Sequence, residues 1–332
     1  MTGVRYFYTA LHEQYQPQAL LEHGVAAERA GFDGICCSDH LQPWWPGGES
    51  GHAWPWLGAL LQATESFAAG TAVTPPGPRY HPVLIAQAWS TLESMFPGRP
   101  FLGFGSSESL NESPLGAPWP SVHEQVARME EALEMIHALF EGKRVDQAGK
   151  HFGADGAVLH TRSQQRPPIY VSAFGPDAAG VAARQGDGVW TLADPEQAPE
   201  VIDAYRTACE DAGREPGEIV LQGMFSWARD DAAAFEGARV WKAAQPIEFY
   251  RDDWHDPKSM AEHAEQQLSD DDLRKKITIS TDPEVHADAA REIERMGATV
   301  VALANVSGPD NALGAIECFR EQVLPALRGS RV

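Results

Sequence analysis

Apolar and polar positions along the chain form short apolar runs alternating with stretches of helical period. Residues 4–9, 34–37, 71–73, 101–104, 169–173, 188–190, 218–225 and 299–304 read as buried strands, each only a few residues long and ended by loop-forming residues. Between them, residues 17–30 place Leu20, Leu21, Val25 and Ala26 on one helical face and stop at Gly31. Residues 81–96 carry Leu84, Ile85, Leu92 and Met95 in the same way. Residues 122–140 repeat Val126, Met129, Leu133, Ile136 and Leu139 at spacings of three and four. Further helices are read over 56–67, from Pro176, and over 195–212, 283–296 and 311–327. About eight strand-then-helix units predict an α/β fold, a (β/α)8 TIM barrel forming one domain over residues 1–332.

Two segments interrupt the alternation. Residues 141–167 have no sustained period and end at the breaker Pro167-Pro168, so they read as an insertion. Residues 228–276 are helix-rich and highly charged, and are expected to form an excursion over the barrel mouth after the seventh strand.

Composition narrows the partners more than the fold. The chain has 332 residues with 26 Lys+Arg against 47 Asp+Glu, a formal charge of −21, which would repel a phosphate backbone or an anionic membrane. A hydrophobic share of 43% supplies a large core, so disorder is excluded. The longest apolar runs are far shorter than the ~20 residues that cross a bilayer, and the start lacks a signal-peptide core, so a cytoplasmic protein is expected. Cys36, Cys37, Cys209 and Cys318 form no CxxC pair and read as reduced, buried thiols.

Chemistry in such a barrel belongs to the loops that follow the strands. His12 and Glu13 follow the first strand; Ser38, Asp39, His40, Trp44 and Trp45 the second; Thr74 the third; Ser106, Ser107, Glu108 and Asn111 the fourth; Phe174 and Asp177 the fifth. Any one of these has an ordinary role as a cap or packing residue. Their coincidence at consecutive strand ends points to an acid/base and ring-binding rim.

Competing motifs fail. Gly103-Phe-Gly105-Ser-Ser-Glu108 lacks the third glycine of a dinucleotide fingerprint, there is no GxxxxGK[ST] loop, and the histidines show no metal-binding spacing, so no metal is expected. By contrast Gly175-Pro176 turns a buried strand into a helix whose free N–H groups face the mouth. That geometry can hold a phosphate in a chain with only six lysines. An ordinary strand-to-helix turn is the other reading of the same residues.

Ser38-Asp-His-Leu-Gln-Pro-Trp44, Arg79-Tyr-His-Pro82 with Ile85-Ala-Gln87, and Glu108-Ser-Leu-Asn-Glu112 resemble the coenzyme F420-dependent glucose-6-phosphate dehydrogenases of the bacterial luciferase-like superfamily, over nearly the whole chain. The resemblance implies a TIM barrel with an 8-hydroxy-5-deazaflavin at its mouth, exchanging hydride at ring carbon 5. By match, Asp39, Thr74, Ser106, Ser107, Asn111, Phe174, Gly175, Asp177 and Ala178 line the cofactor, and Ala72-Val73 stands where the family has a non-proline cis peptide against the ring. His40, Trp44, Glu108 and Glu13 match the catalytic group. His40 is assigned to the substrate side and Glu108 to the ring side, with the reverse left open. Family members pair through barrel helices, so a homodimer acting on a small molecule is implied.

Departures from the family shape the substrate expectation. Where the dehydrogenases place two lysines and an arginine around the sugar phosphate, this chain aligns Pro195, Glu262 and Lys276, and a carboxylate there would repel a phosphate dianion. A non-phosphorylated alcohol, or its carbonyl counterpart, is therefore expected. The stretch Thr74-Pro-Pro-Gly-Pro-Arg-Tyr-His-Pro82 also resembles a side branch using ordinary flavin, which keeps FMN as an alternative cofactor. A non-catalytic flavin- or deazaflavin-binding barrel is a third reading.

Overall fold

The computed structural model describes residues 3–329. Eight parallel strands close into a barrel: β1 (Arg5–Ala10), β2 (Gly34–Cys37), β3 (Ala68–Thr71), β4 (Pro100–Phe104), β5 (Ile169–Ser172), β6 (Gly188–Leu192), β7 (Glu218–Ser226) and β8 (Val300–Asn305). They neighbour one another in chain order. β8 pairs with β1 through Arg5↔Val300 to Thr9↔Ala304, and β6 pairs with β7 through Gly188↔Glu218 to Leu192↔Gln222. This is the (β/α)8 architecture expected from the alternating pattern.

Pleat alternation sorts each strand's side chains. On β1, Tyr6 and Tyr8 face the helix layer and join the main core, whereas Phe7 points inward. Inside the barrel Phe7 meets Cys36, Phe101, Tyr170, Trp190, Val220, Val300 and Ala302, which plug its lower half. Two glycines allow the strands to close there. A Cβ on Gly70 would lie 2.2 Å from the Phe101 carbonyl oxygen, and one on Gly103 would lie 1.9 Å from that of Thr71.

The helix layer follows from sequence period and capping. α1 (Pro17–Ala30) opens on Pro17 and ends at Gly31 in the left-handed conformation. α2 (Ala53–Ala63) and α3 (Pro82–Met95) are capped by the side chains of His52 and His81. α4 (Val122–Phe140) is capped by Ser121, whose hydroxyl accepts from the Glu124 N–H. α5 (Pro176–Gln185), α6 (Ala198–Asp211), α7 (Pro283–Arg295) and a last helix, Ala312–Gly329 with a π turn at Phe319–Val323, complete the layer. α4 falls where the three-and-four spacing places it.

Two expectations are corrected. The third strand lies at Ala68–Thr71, not 71–73, because residues 72–74 already leave the ladder. The Ala72–Val73 peptide is cis, and Thr74 returns as a lone bridge to Phe104. Ala-Ala-Gly-Thr is too small and too little branched to register as a strand from sequence. The insertion at 141–167 is not irregular throughout: Val145–Ala148 and Gly153–Ala157 pair as a bulged antiparallel hairpin. It is fastened to α4 by Glu131, whose carboxylate accepts from the N–H groups of Lys150, His151 and Phe152.

The excursion is helical, with Asp231–Arg239, Pro257–Gln267 and Asp270–Lys276 joined by short 3-10 turns. It then adds a two-residue strand, Thr278–Ile279, to the upper end of β7. Its aromatic residues Trp241 and Phe249 pack with Leu11, Trp44, Trp45 and Leu110 at the strand ends, so the segment sits over the barrel mouth. No helix among the described residues is long and apolar enough to cross a membrane.

Candidate active site

Register on the strands decides which side chains reach the mouth. Thr9 and Leu11 continue the inward row of Phe7, Ser38 continues that of Cys36, and Gln222 and Met224 that of Val220. Together with the loops above them they enclose a cavity of about 240 Å³. Glu13, His40, Trp44, Ala72, Val73, Glu108, Phe174, Pro195 and Lys276 all line it, drawn from most of the strand ends named above.

At its base is a chain of polar groups. The His12 N–H donates to Ser38 Oγ at 2.9 Å, and the Ser38 hydroxyl donates to Glu13 Oε2 at 2.7 Å. Glu13 Oε1 lies 2.7 Å from His40 Nδ1, and His40 Nε2 lies 3.9 Å from Glu108 Oε2. Burial opposes ionisation of Glu13, yet the His40 imidazole and the Ser38 hydroxyl hold its carboxyl below the usual range. Burial likewise disfavours the His40 cation, but the two flanking carboxylates raise its pKa above the ordinary imidazole value. Trp44 meets the imidazole edge-on, with centroids 5.3 Å apart. The arrangement is a histidine that can pass a proton at Nε2 while Nδ1 is held by a buried carboxylate.

Other residues expected at the cofactor turn out to hold the rim together. Asp39 is buried, accepting from Thr74 Oγ1 at 2.6 Å, Tyr80 OH at 3.0 Å and Arg79 at 3.1 Å. Thr74 in turn accepts from Trp54 Nε1 at 3.2 Å, so both already have protein partners. Asn111 donates to Glu108 Oε2 at 2.8 Å and accepts from the Leu41 N–H at 2.7 Å, which ties the β4 loop to the loop carrying His40. Ser107 has a left-handed backbone, φ 78°, uncommon for a non-glycine residue, and neither it nor Ser106 is part of the cavity wall.

Gly175, Asp177 and Ala178 lie at the entrance to α5. A Cβ on Gly175 would meet nothing within 4 Å, and the first N–H groups of the helix have no acceptor within it, so an anionic group can approach there. Val73, Phe174, Trp44 and Tyr250 give the cavity an apolar side, with Tyr250 packed between Trp44 and Phe174. These donors and walls suit a flat ring system carrying a phosphate.

Glu262 is a correction. Its carboxylate is exposed on the helix Pro257–Gln267 and lies 3.9 Å from Lys258 Nζ, away from the cavity wall. The alignment through the irregular excursion misplaced it. Lys275 stands beside Lys276 in the cavity lining instead, which also includes Asp194.

Residues unnoticed in the sequence are mostly from the excursion. Trp241, Ala244, Gln245, Ile247 and Tyr250 form one wall, and Tyr250 packs against both Trp44 and Phe174 at centroid distances of 5.2 and 5.7 Å. The tryptophans and tyrosine within a charged segment were the available signal. Cys36 and Cys37 are buried, and burial pushes the Cys36 thiol up to about 12, so neither serves as a nucleophile. Among the described residues no group of three or more His, Cys, Asp or Glu side chains could hold a metal ion.

The family model described as luciferase-like monooxygenase matches residues 5–300. A protein named F420-dependent glucose-6-phosphate dehydrogenase from Nakamurella multipartita is 36% identical, the match covering 98% of this chain and 97% of that one. The F420-dependent hydroxymycolic acid dehydrogenase of Mycobacterium tuberculosis is 35% identical over 96% of this chain and 86% of its own. Among solved structures, an F420-dependent secondary alcohol dehydrogenase in complex with an F420-acetone adduct superposes with a TM-score of 0.92 at 31% identity, covering 98% of this chain and all of that one. On its matching residues and its barrel, the chain belongs to the luciferase-like family, in the branch that includes the F420-dependent glucose-6-phosphate dehydrogenases.

Proposed function

We propose that this protein is an F420-dependent oxidoreductase that interconverts a non-phosphorylated secondary alcohol and its carbonyl compound. The observation that carries the reading is His40 held between Glu13 and Glu108 in the wall of the cavity at the barrel mouth. Its relatives named as F420-dependent dehydrogenases support the cofactor. Val73, Phe174 and the turn at Gly175 are the residues that would hold F420, whose chemistry is hydride exchange at ring carbon 5.

The chain's own residues do the rest. His40 Nε2 takes the hydroxyl proton of the alcohol as its carbon is oxidised, or supplies it in reverse. Glu13 orients the imidazole and balances its charge, with Ser38 fixing the carboxylate. Glu108, aligned by Asn111, holds the proton exchanged on the ring side. Trp44 and Tyr250 exclude water from the reacting carbon.

The non-phosphorylated substrate rests on what surrounds the cavity. Pro195 is apolar, Lys275 is paired with Asp272 at 2.7 Å, and Asp194 adds a carboxylate to the same lining as Lys276. A phosphate dianion is best held by several convergent cations. Fluorescence-quenching titrations with F420 and FMN, followed by turnover assays with 2-propanol and glucose 6-phosphate, test the reading. Tighter F420 binding with alcohol oxidation is expected. A preference for FMN would reassign the protein to a flavin enzyme, and F420 binding without turnover of any alcohol or carbonyl would make it a carrier. Efficient glucose 6-phosphate oxidation would overturn the substrate class.

A further inference from the structure

Behind the active-site cavity lies a second chamber of about 370 Å³, between the upper ends of β6 to β8 and helix α7. Its walls include Phe225, Ile277, Ile293, Leu303 and Phe319, interrupted by His286 and Glu292, with Arg274, Lys275 and Lys276 at one edge. Ala193, Pro195, Gly223, Met224, Lys275 and Lys276 line both spaces, so the two share one partition.

That partition coincides with a break in the barrel wall. The β6–β7 ladder ends at Leu192↔Gln222, followed by one bond from the Ala193 N–H to the Gln222 carbonyl. Pairing on that edge of β7 resumes only at Thr278↔Phe225. Gly223 and Met224 therefore keep their β8 partners, Leu303 and Ala304, but have no strand beside them on the other edge. Gly223 leaves the partition thin: a Cβ there would lie 2.8 Å from Ile293 Cδ1, within the outer chamber's wall. The unbranched Met224 side chain fronts the inner cavity and can change rotamer at low cost.

We propose that the outer chamber receives the apolar chain of the substrate, which passes between Met224 and Pro195 while the reacting carbon stays at His40. The substrate is then a secondary alcohol, or ketone, with a linear aliphatic chain. This rests on the reaction assigned above and specifies its substrate. A chain buried there gains from every methylene removed from water, about fourfold in affinity for each.

Calorimetric titration of the F420-loaded protein with acetone, 2-butanone, 2-hexanone and 2-octanone tests it, alongside kcat/KM for the matching alcohols. The dissociation constant is expected to fall more than a hundredfold from acetone to 2-octanone. Ala289→Leu, which narrows the chamber from the half-buried face of α7, and Met224→Phe, which obstructs the passage, are each expected to reduce that gain below tenfold while circular dichroism stays native. A gain below tenfold in the unmodified protein, or one that survives both folded variants, would overturn the proposal. Chain-dependent binding without turnover of any alcohol would leave the chamber assigned and remove the reaction. Turnover of short and long alcohols at equal efficiency would do the reverse.

Discussion

Glu13 Oε1 lies 2.7 Å from Nδ1 of His40, so the imidazole is held by a fully buried carboxylate through one ring nitrogen while the other, Nε2, lies 3.9 Å from Glu108. Fixing one ring nitrogen sets what the other can do. His40→Ala is therefore expected to lower kcat by about 10² to 10⁴, while F420 affinity stays within about tenfold because other residues would hold the ring. Steady-state kinetics with a quenching titration check both numbers, and wild-type kcat in the variant would remove His40 from the mechanism.

The same pairing sets the direction of pH dependence. The carboxylates raise the His40 pKa above its ordinary value of 6.5, so the neutral base needed to oxidise an alcohol is lost below that raised pKa and recovered above it. Oxidation should climb with pH through a midpoint above 6.5, and reduction should decline over the same interval. Glu13→Gln removes the buried negative charge, and the midpoint is expected to move down. A midpoint that stays in place would assign the ionisation to another group.

Much of the barrel was legible because its strands and helices obey simple periods. Val126, Met129, Leu133, Ile136 and Leu139 define α4 without help from the rest of the chain. Ala68–Thr71 was not legible, since what makes it a strand is close approach to β4 across Gly70 and Gly103, a tertiary property. At the site, Glu13, His40 and Glu108 stood out as titratable groups following the first, second and fourth strands. Asp39 did too, but its bonds to Thr74, Tyr80 and Arg79 were not legible, because those partners come from other loops of the rim. Tyr250 and Trp241 were hidden because an irregular excursion carries no register from which facing residues can be counted.

Ser38 supplies a separate test of how Glu13 is held. Its hydroxyl donates at 2.7 Å to the carboxylate oxygen opposite the one facing His40, and hydrogen bonds to buried charge are among the stronger ones. Ser38→Ala should lower kcat about tenfold with KM little changed, and Ser38→Thr, which keeps the hydroxyl, should recover most of it. An Ala variant with undiminished kcat would show that Glu13 needs no such support.

Glu262 marks a place where charge is expected to have no bearing on the substrate. It is exposed and lies beside Lys258, not on the cavity wall. Glu262→Lys is expected to leave kcat/KM for alcohols within about twofold and to confer no glucose 6-phosphate activity, as surface charges in high dielectric act weakly. A substantial gain on the sugar phosphate would place this helix closer to the substrate than it stands here.

Assembly can be argued from which helix faces remain uncovered. The apolar stripe of α4 is consumed inside the protein, where Met129, Leu133, Ile136 and Leu139 are buried, so it has little left to offer a second copy. On α3 the position differs: Leu84 and Met95 are 51% and 59% exposed, and Val122 at the start of α4 is 50% exposed. Apolar groups of this size cost free energy in contact with water, and covering them in a two-fold interface would recover it. We expect a homodimer by light scattering at micromolar concentration, and expect Leu84→Glu with Met95→Glu to shift it to monomer by placing charge in the contact. A monomeric wild-type mass, or a dimer indifferent to both substitutions, would exclude this face as the interface.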